Sequence, residues 1–279
     1  MLPRAAKKRQ VPGVLALFLC LLAGACSRVE QAAAPVADSG LACSVDAAGL
    51  QSAPIAAVID GDTLRLADGQ RVRLIGINTP ELGHGRRADE PLAQQARAAL
   101  AGLLAGGTAW LADGVDDRDP HGRRLAWVFD ADGHSVSAQL LERGLGFHVA
   151  IAPNGGRAAC LRAAEDVARR ERRGVWAEPA YAARSAAQLA PGLRGFALVR
   201  DRVTHVSFKD NGWWVQLGGK IGVHIKPADA HLYTRTKIAS LEGRSIQVRG
   251  WLVPMRGGWW VLNLGHPAML EAPADGHPW

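Results

Sequence analysis

Acidic, amide and guanidinium side chains follow one another closely between residues 58 and 81, in the sequence VIDGDTLRLADGQRVRLIGINTPE. Carboxylate and amide oxygens are hard ligands that suit a divalent cation, and guanidinium groups bind phosphate oxygens through paired N–H donors. These residue types predict phosphodiester chemistry, in which a metal holds a phosphate while arginines neutralise its oxygens. The residues concerned are Asp60, Asp62, Arg73, Asn78 and Glu81, with Arg123 from the later string DPHGRRLAW.

The surrounding pattern predicts the strands that bring these side chains together. From Ile55 the short runs IAAVIDGD, TLRLADG and RVRLIGIN alternate apolar and polar residues, and Asp68-Gly69 favours a hairpin between the last two. A helix predicted over residues 91–106 precedes the strands TAWLADG and RLAWVFD, and two further helices follow in SVSAQLLERG and AACLRAAEDVARRERRG. Five strands with about three helices predict a small closed β-barrel of OB type.

Three separated motifs, DGDT, RLIGINTPE and GRRLAW with a helix ending in RGVW, resemble those of the thermonuclease family, the staphylococcal-nuclease-like OB-fold enzymes. DGDT alone would be a weak signal, whereas three motifs in the correct order over residues 55–176 are a specific one. The resemblance implies a Ca²⁺-dependent nuclease that hydrolyses DNA and RNA and leaves 3′-phosphate ends.

The resemblance also implies a calcium site made of oxygen ligands. Asp62 would be a direct ligand, Asn78 would take the place of a second carboxylate, and Thr79 would offer its backbone carbonyl, with Asp60 close to the metal. Family members usually have aspartate where this chain has Asn78, so the site loses one negative charge. Because calcium affinity follows the number of charged ligands, we expect weaker calcium binding here.

By the same resemblance, Glu81 would be the general base or the group that orients the attacking water. Arg73 and Arg123 would bind the scissile phosphate and stabilise the charge that builds on its oxygens. Each residue also has an ordinary interpretation when taken singly. Asp60-Gly61-Asp62 could be a plain turn, and Arg73 with Glu81 an exposed ion pair that contributes little to stability.

Substrate-contacting loops depart from the family pattern. The segment GLGFHVAIAPN, residues 144–154, lacks the two tyrosines that stack on a nucleotide base in well-known members, and Pro120 and His121 replace a lysine and a tyrosine. Arg86 and Arg87 lie in a polar, glycine-containing loop and are either contacts to a nucleic-acid backbone or a solvated charged surface. We therefore expect the substrate preference of this protein to differ from that of well-known family members more than its reaction class does.

From Gly195 onward the pattern predicts strands only, and hence a second, all-β barrel that resembles OB-like nucleic-acid-binding modules. This unit has ten lysines and arginines against five acids, and five of the nine tryptophans of the chain. A basic, aromatic surface suits single-stranded nucleic acid, with Trp213 and Trp214 as candidate contacts. Alternatively, the two rings point to opposite faces of one strand and only support the barrel.

Residues 1–25 combine four basic residues, an apolar run and small terminal residues, which is the order of a secretory signal. The run is short for a transmembrane helix. Ala23-Gly24-Ala25 fits ordinary signal peptidase, whereas LAGAC resembles a lipobox that would place lipid on Cys26 and anchor the protein in the periplasm or cell envelope. In that case Cys43 and Cys160 remain as a pair for a disulfide in an oxidising compartment, the alternative being two buried thiols.

The predicted organisation is a signal peptide at 1–25, a flexible linker at 26–50, a nuclease-type domain at 51–180, a linker at 181–194, an OB-like domain at 195–272 and a disordered tail at 273–279. With 48% hydrophobic and 21% charged residues and a net charge of +7, the composition excludes a largely disordered or fibrous chain. We expect a monomer.

Three classes of function stay open at this point. The first is an exported calcium-dependent nuclease, the second a non-catalytic nucleic-acid-binding envelope protein whose metal site has degenerated at Asn78, and the third a cell-envelope interaction module. Metal-dependent strand cleavage is predicted by the first class alone. Salt-sensitive nucleic-acid binding is predicted by the first two.

Overall fold

The computed structural model describes residues 43–271, in which two β-barrels follow one another within one compact unit. The first barrel region consists of β1 (Gln51–Asp60), β2 (Thr63–Leu66), β3 (Arg71–Leu74), β4 (Ile77–Asn78), α1 (Ala93–Leu103), β5 (Thr108–Arg118), β6 (Arg124–Phe129), α2 (Val136–Glu142), β7 (Phe147–His148) and α3 (Ala158–Arg170). The second consists of β8 (Gly195–Lys209), β9 (Gly212–Leu217), β10 (Ile221–Ile225), α4 (Arg235–Ala239), β11 (Ser245–Met255), β12 (Trp259–Asn263) and β13 (Leu270–Glu271).

The first barrel closes in the strand order β1-β2-β3-β6-β5, with β3 and β6 parallel and the other pairs antiparallel. The predicted hairpin between β2 and β3 is present, and Gly69 takes the positive φ of +87° that its turn requires. Alternate residues such as Leu64, Val72 and Leu111 point into the barrel and are fully or almost fully buried. The OB-type barrel predicted from the sequence is thus confirmed.

The second barrel repeats this connectivity. Its ring runs β8-β9-β10-β12-β11 and closes because β11 pairs with both β8 and β12, while β10 and β12 form the parallel pair. The prediction of strands only was incomplete, because α4 forms between β10 and β11. This five-residue helix is too short to be stable alone, and its fully buried Ile238 packs into the second core.

The start of the described chain is attached to the first barrel. Cys43 and Cys160 form the predicted disulfide, with their Cα atoms 5.6 Å apart, and Val45 N–H donates to the carbonyl of Gly133 at 3.0 Å. Residues 43–50, which the sequence assigned to a flexible linker, are therefore held against the barrel by a covalent bond and a backbone hydrogen bond.

Residues 181–194, predicted as a linker, also pack closely. Ala186 and Leu189 are buried in the second core, Ala186 N–H donates to Asp201 at 2.8 Å, and Arg184 forms a β-bridge with Val199. The alanine-rich composition that indicated a linker instead supplies small apolar residues that fit between the two barrels.

A buried ion cluster joins the two barrels. Arg249 on β11 donates through Nη1 to both oxygens of Glu165 on α3, at 2.6 and 2.8 Å, and also pairs with Glu271. Arg162 and Arg169 on α3 reach the same Glu271, each at 2.9 Å. Burial acts to raise the pKa of Glu271, but the guanidinium groups, Arg249 foremost, hold that pKa at about 2. Removal of Arg249 would leave the buried Glu165 without its guanidinium partner.

Within residues 43–271 the structure contains no helix of the length and apolarity needed to cross a membrane. The predicted signal peptide, the lipidation site at Cys26 and the tail at 273–279 lie outside the described residues.

Candidate active site

The turn between β1 and β2 brings two carboxylates to the end of the first barrel. Asp60 is the last residue of β1, and Asp62 directly precedes β2. Between them, a Cβ atom on Gly61 would lie 2.6 Å from Cβ of Ala96 and 2.7 Å from Oγ1 of Thr79. Such contacts are impossible, so glycine at this position allows the turn to approach α1 and the strand end at Thr79.

Asp62 is almost fully buried, with 2% of its surface exposed, and both of its carboxylate oxygens have partners. Oδ1 accepts a hydrogen bond from the hydroxyl of Thr63 at 3.1 Å, and Oδ2 accepts one from Thr79 N–H at 2.9 Å. Oδ2 also forms an ion pair with Nη2 of Arg73 at 2.9 Å. The side chain is therefore fixed in one orientation.

Arg73 is a buried guanidinium that links β3 to β4. Its Nη1 donates to the carbonyls of Leu74 at 3.1 Å and Ile77 at 2.9 Å, and its Nη2 donates to Oδ1 of Asn78 at 3.3 Å. Asn78 is positioned in turn by the pairing of β4 with β7, where it lies opposite Phe147. The predicted ligands Asp62 and Asn78 thus contact the same guanidinium, that of Arg73.

Asp60 lies beside Asp62 in the same poorly solvated turn, and its Oδ1 accepts the N–H of Asp62 at 3.2 Å. Burial, followed by the negative charge of Asp62, raises the pKa of Asp60 to about 7. A cation bound at this turn would offset the negative charge of Asp62. The oxygens of Asp60, Asp62, Asn78 and Thr79 are a donor set that fits a hard divalent cation.

Glu81 follows β4 by three residues and is exposed at the edge of the site. Desolvation, followed by the negative charge of Asp62, raises its pKa, while Arg73 and Arg123 act in the opposite direction. Glu81 is therefore in electrostatic contact with the acid and both arginines predicted for the site.

Arg123 is held in place by the loop that precedes β6. Its Nε donates to Oδ2 of Asp119 at 2.7 Å, and Oδ1 of Asp119 accepts the backbone N–H groups of His121 and Arg123, each at 2.9 Å. Nη1 of Arg123 also lies 3.5 Å from the hydroxyl of Thr63, the residue that contacts Asp62. Asp119, which the sequence analysis did not single out, orients this arginine.

A cavity of about 640 Å³ is lined by Arg73, Asn78, Glu81 and Arg123, whereas Asp60 and Asp62 do not line it. Pro120 and His121, the residues that depart from the family pattern, lie in its wall. A neighbouring cavity of about 600 Å³ also borders Asn78 and Glu81, and includes Arg87 from the polar loop. Both cavities are bordered by Trp251 of the second barrel, a residue that the sequence analysis did not connect with the site.

The remaining candidate contacts to nucleic acid lie in three different settings. Arg86 is exposed, and the exposed Arg87 pairs with Glu90 on its own loop. Trp213 packs edge-on against Phe208 beside the second core, with ring centroids 5.1 Å apart. Trp214 stacks on His224 at 4.2 Å, so that its face is already covered within the barrel. These tryptophan contacts resemble the structural alternative more closely than a binding surface.

The segment at 144–154, which lacks the family's tyrosines, packs against the second barrel. Phe147 contacts Phe196 of β8 with ring centroids 5.3 Å apart, and Val149 is buried in the second core. The position where the resemblance implies base-stacking tyrosines is thus occupied by a contact between barrels.

One further acidic group, Asp130, Asp132 and His134, has potential ligand atoms within 4.8 Å of one another. It follows β6, whereas Arg123 precedes that strand, so a strand length of about 20 Å separates the two positions. Asp130 already accepts the N–H groups of Asp132 and His134 and the amide of Gln139. These hydrogen bonds form a turn that precedes α2, and the turn accounts for the proximity of the three side chains.

The first barrel carries a buried pair of carboxylates beside Arg73, and Arg73 and Arg123 line one cavity. Residues 71–178 match the family model described as staphylococcal nuclease homologue. The match agrees with the resemblance that the motifs predicted, and it supports nuclease activity on DNA or RNA. The match begins at β3, and the structure adds β1 and β2, with Asp60 and Asp62, to the same closed barrel.

Proposed function

We propose that the protein is an exported Ca²⁺-dependent nuclease that cleaves DNA and RNA by in-line attack of water and leaves 3′-phosphate ends. The observation that carries this proposal is that Asp62 and Asn78 each contact Arg73, which lines one cavity with Asn78, Glu81 and Arg123. In this proposal a substrate phosphate in the cavity would meet metal ligands, a proton acceptor and phosphate-binding cations.

The residues that would hold the metal are Asp62, Asn78, the carbonyl of Thr79 and the nearby Asp60. When bound, Ca²⁺ supplies Lewis acidity and a template for the phosphate. Asn78 contributes an amide oxygen without charge, and Arg73 already neutralises Asp62. We therefore expect the site to require calcium at millimolar concentrations, as extracellular fluids supply it.

Glu81 would orient the attacking water and accept its proton. Its raised pKa brings its basicity closer to that required of a general base at neutral pH. A new bond forms between the water oxygen and phosphorus, the bond from phosphorus to the 5′-oxygen breaks, and the leaving oxygen takes a proton from solvent. The products are a 3′-phosphate and a 5′-hydroxyl.

Arg123 would stabilise the negative charge that builds on the phosphate oxygens. Asp119 holds its Nε, so the guanidinium is fixed in the cavity wall before substrate arrives. Donors placed in advance in this way need no reorganisation during the reaction. Arg73 would assist from the other side of Asp62.

The disulfide between Cys43 and Cys160 supports function in an oxidising compartment outside the cytoplasm. For the N-terminus we propose cleavage before Cys26 and lipid attachment there, with ordinary secretion as the alternative. The intact mass of protein recovered from bacterial envelopes distinguishes the two, since lipid on Cys26 adds the mass of its acyl chains.

The second candidate function is non-catalytic nucleic-acid binding, and the ion pair between Arg73 and Asp62 favours it. This pair occupies a carboxylate oxygen that calcium would use, and Asn78 adds no charge in compensation. In this case the cavity would bind phosphate groups without cleaving them.

Incubation of the purified chain with single- and double-stranded DNA and RNA, with calcium or with a chelator, tests the choice. Calcium-dependent cleavage that yields 3′-phosphate ends supports the nuclease. Salt-sensitive binding without cleavage at millimolar calcium supports the second candidate. Cleavage that is unaffected by the chelator contradicts the proposed metal site.

A further inference from the structure

Trp251 lies on the face of β11 that is directed toward the first barrel. Along this strand Ile246, Val248 and Leu252 point into the second core. The residues between them, which include Arg249 and Trp251, therefore point outward, because side chains alternate along a strand. Arg249 contacts Glu165 of the first barrel, and Trp251 lies two positions further on the same face with 39% of its surface exposed.

A row of aromatic contacts connects Trp251 with the candidate active site. Asn78 is paired with Phe147 between β4 and β7. Phe147 contacts Phe196 at 5.3 Å between ring centroids, and Phe196 contacts Trp251 edge-on at 5.3 Å. Trp251 and Phe196 are also opposite one another in the β8–β11 ladder. The indole is thus placed next to the site by packed rings and not by a loop.

The surroundings of Trp251 combine several arginines with an exposed apolar surface. The larger cavity that it borders contains three arginines and three acids, and its wall includes Ile151, which is 53% exposed. The arginines there are Arg73, Arg118 and Arg123, and the acids are Glu81, Asp116 and Asp119. The neighbouring cavity contains Arg87, Arg184 and Arg194 together with Glu81 and Glu90. Proteins that bind single-stranded nucleic acid combine cationic groups that bind the phosphates with aromatic side chains on which the bases stack.

The strand that carries Trp251 is held rigidly. Arg249 is 1% exposed and bonded to Glu165 and Glu271, and β11 pairs with β8 from Ser245 to Leu252. A stacking residue fixed before binding loses little conformational freedom when a base arrives. Trp251 is an aromatic side chain that is partly exposed in an arginine-containing cleft, on a strand held in place, and it is therefore well suited to bind a ligand.

We infer that Trp251 is a base-stacking residue, and that the second barrel completes the substrate cleft by binding an unpaired nucleobase next to the phosphate site. The inference rests on the proposed nuclease function for its choice of ligand. The ligand class is single-stranded DNA or RNA, because a base within a duplex is already stacked on both faces and cannot reach the indole.

The test is binding of a fluorescently labelled eight-nucleotide single-stranded DNA, measured by anisotropy in chelator, with cleavage kinetics measured separately in calcium. Trp251→Ala removes the ring, and Trp251→Leu keeps an apolar side chain against Phe196 in case the alanine variant does not fold. Trp251→Phe retains an aromatic face. Trp259→Ala is the matched control, because Trp259 is 40% exposed on β12.

We expect Trp251→Leu and Trp251→Ala to weaken single-strand binding about tenfold, the size typical of losing one stacked base. Trp251→Phe should recover most of the affinity, Trp259→Ala should match the unaltered protein, and KM for cleavage should rise more than kcat falls. Equal affinity of Trp251→Leu and Trp259→Ala, or no oligonucleotide binding by the unaltered protein, overturns the inference.

The two proposals fail in different ways. If the unaltered protein binds single strands through Trp251 but never cleaves them, the nuclease proposal fails and the stacking residue stands. If Trp251→Leu cleaves in calcium with the KM of the unaltered protein and binds the oligonucleotide equally well, the nuclease proposal stands and Trp251 is not a base-stacking residue.

Discussion

Nη2 of Arg73 lies 2.9 Å from Oδ2 of Asp62, so a buried guanidinium already occupies the carboxylate oxygen that a metal ion would use. The same nitrogen donates to Asn78, the neutral residue at the second ligand position. Positive charge is therefore built into the site where family members usually have an additional acid. Calcium would have to share Asp62 with Arg73, and this relationship determines several expectations.

Asn78→Asp should strengthen calcium binding, because a second carboxylate adds negative charge where Arg73 now meets only an amide. The expected change is about tenfold or more in the calcium concentration for half-maximal activity or for half the thermal stabilisation by calcium. Asn211→Asp, on the β8–β9 turn of the second barrel, is the control for added charge alone. Equal calcium responses of the two variants would show that residue 78 is not a ligand.

Gly61→Ala should destabilise the protein by about 1–3 kcal/mol and reduce activity, because the new Cβ would overlap with Ala96 and Thr79. The turn would have to move away from Thr79, whose N–H holds Asp62. Gly102→Ala is the matched control, since it lies in α1 with no heavy atom within 4 Å of the added Cβ. That change should stabilise the protein by up to about 1 kcal/mol. Urea unfolding of both variants measures the difference, and equal effects would be contrary to expectation.

Two buried groups, His148 and Glu271, should each lower the stability of the protein as pH falls. The folded pKa of His148 is lowered to about 4 by burial, so the stability that depends on its neutral ring is present above pH 6.5 and lost as pH falls toward 4. The folded pKa of Glu271 is about 2, so its contribution is present above pH 4.5 and lost as pH falls toward 2. Arg162, Arg169 and Arg249 face Glu271.

Urea unfolding between pH 7 and pH 3 measures this decline. His148→Gln should lose less stability than the unaltered protein as pH falls from 6.5 to 4, and leave the lower part of the curve in place. The comparison between variants is needed because Asp60, whose pKa is raised to about 7, acts in the opposite direction over this range. A His148→Gln curve parallel to that of the unaltered protein between pH 6.5 and 4 would contradict the assignment of His148.

Arg249→Met should lower the free energy of unfolding by about 3–5 kcal/mol, because Glu165 would be left as a buried charge without its main partner. The double variant Arg249→Met with Glu165→Met should lose less than the sum of the two single changes. Arg256→Met, at an exposed position of the same barrel, should change stability by less than about 0.5 kcal/mol. Strict additivity in the double variant would show that the two side chains are not coupled.

Sequence reasoning predicted the features that depend on local patterns. Alternating apolar residues identified the strands of both barrels, and the glycines after Asp60 and Asp68 marked their turns. The motifs carried the resemblance to staphylococcal nuclease and brought forward Asp62, Arg73, Asn78 and Arg123: Asp62 and Asn78 contact Arg73, and Arg73, Asn78 and Arg123 line one cavity. The disulfide followed from cysteine parity in an exported chain.

Features that depend on contacts between the barrels were missed. The packing of β11 against the first barrel places Trp251 at the site. In the sequence, 170 or more residues separate Trp251 from Arg73 and Asn78, and neither spacing nor composition indicates that they are close. The pairing of Arg249 with Glu165 also joins residues that are far apart in sequence, 84 positions. For the same reason Trp213 and Trp214 seemed suitable for binding, although Phe208 and His224 cover them in the folded barrel.

The central claim is that Glu81 and Arg123 act on a phosphate held at the Asp62 site. The most direct measurement is single-turnover cleavage of a labelled oligonucleotide at millimolar calcium by the unaltered chain, Glu81→Gln and Arg123→Ala, beside the controls Glu142→Gln and Arg143→Ala. We predict calcium-dependent cleavage that falls at least a hundredfold in the first two variants, about the scale of losing a proton acceptor or a charge-stabilising donor, and persists in both controls. Full activity in Glu81→Gln and Arg123→Ala would contradict the account.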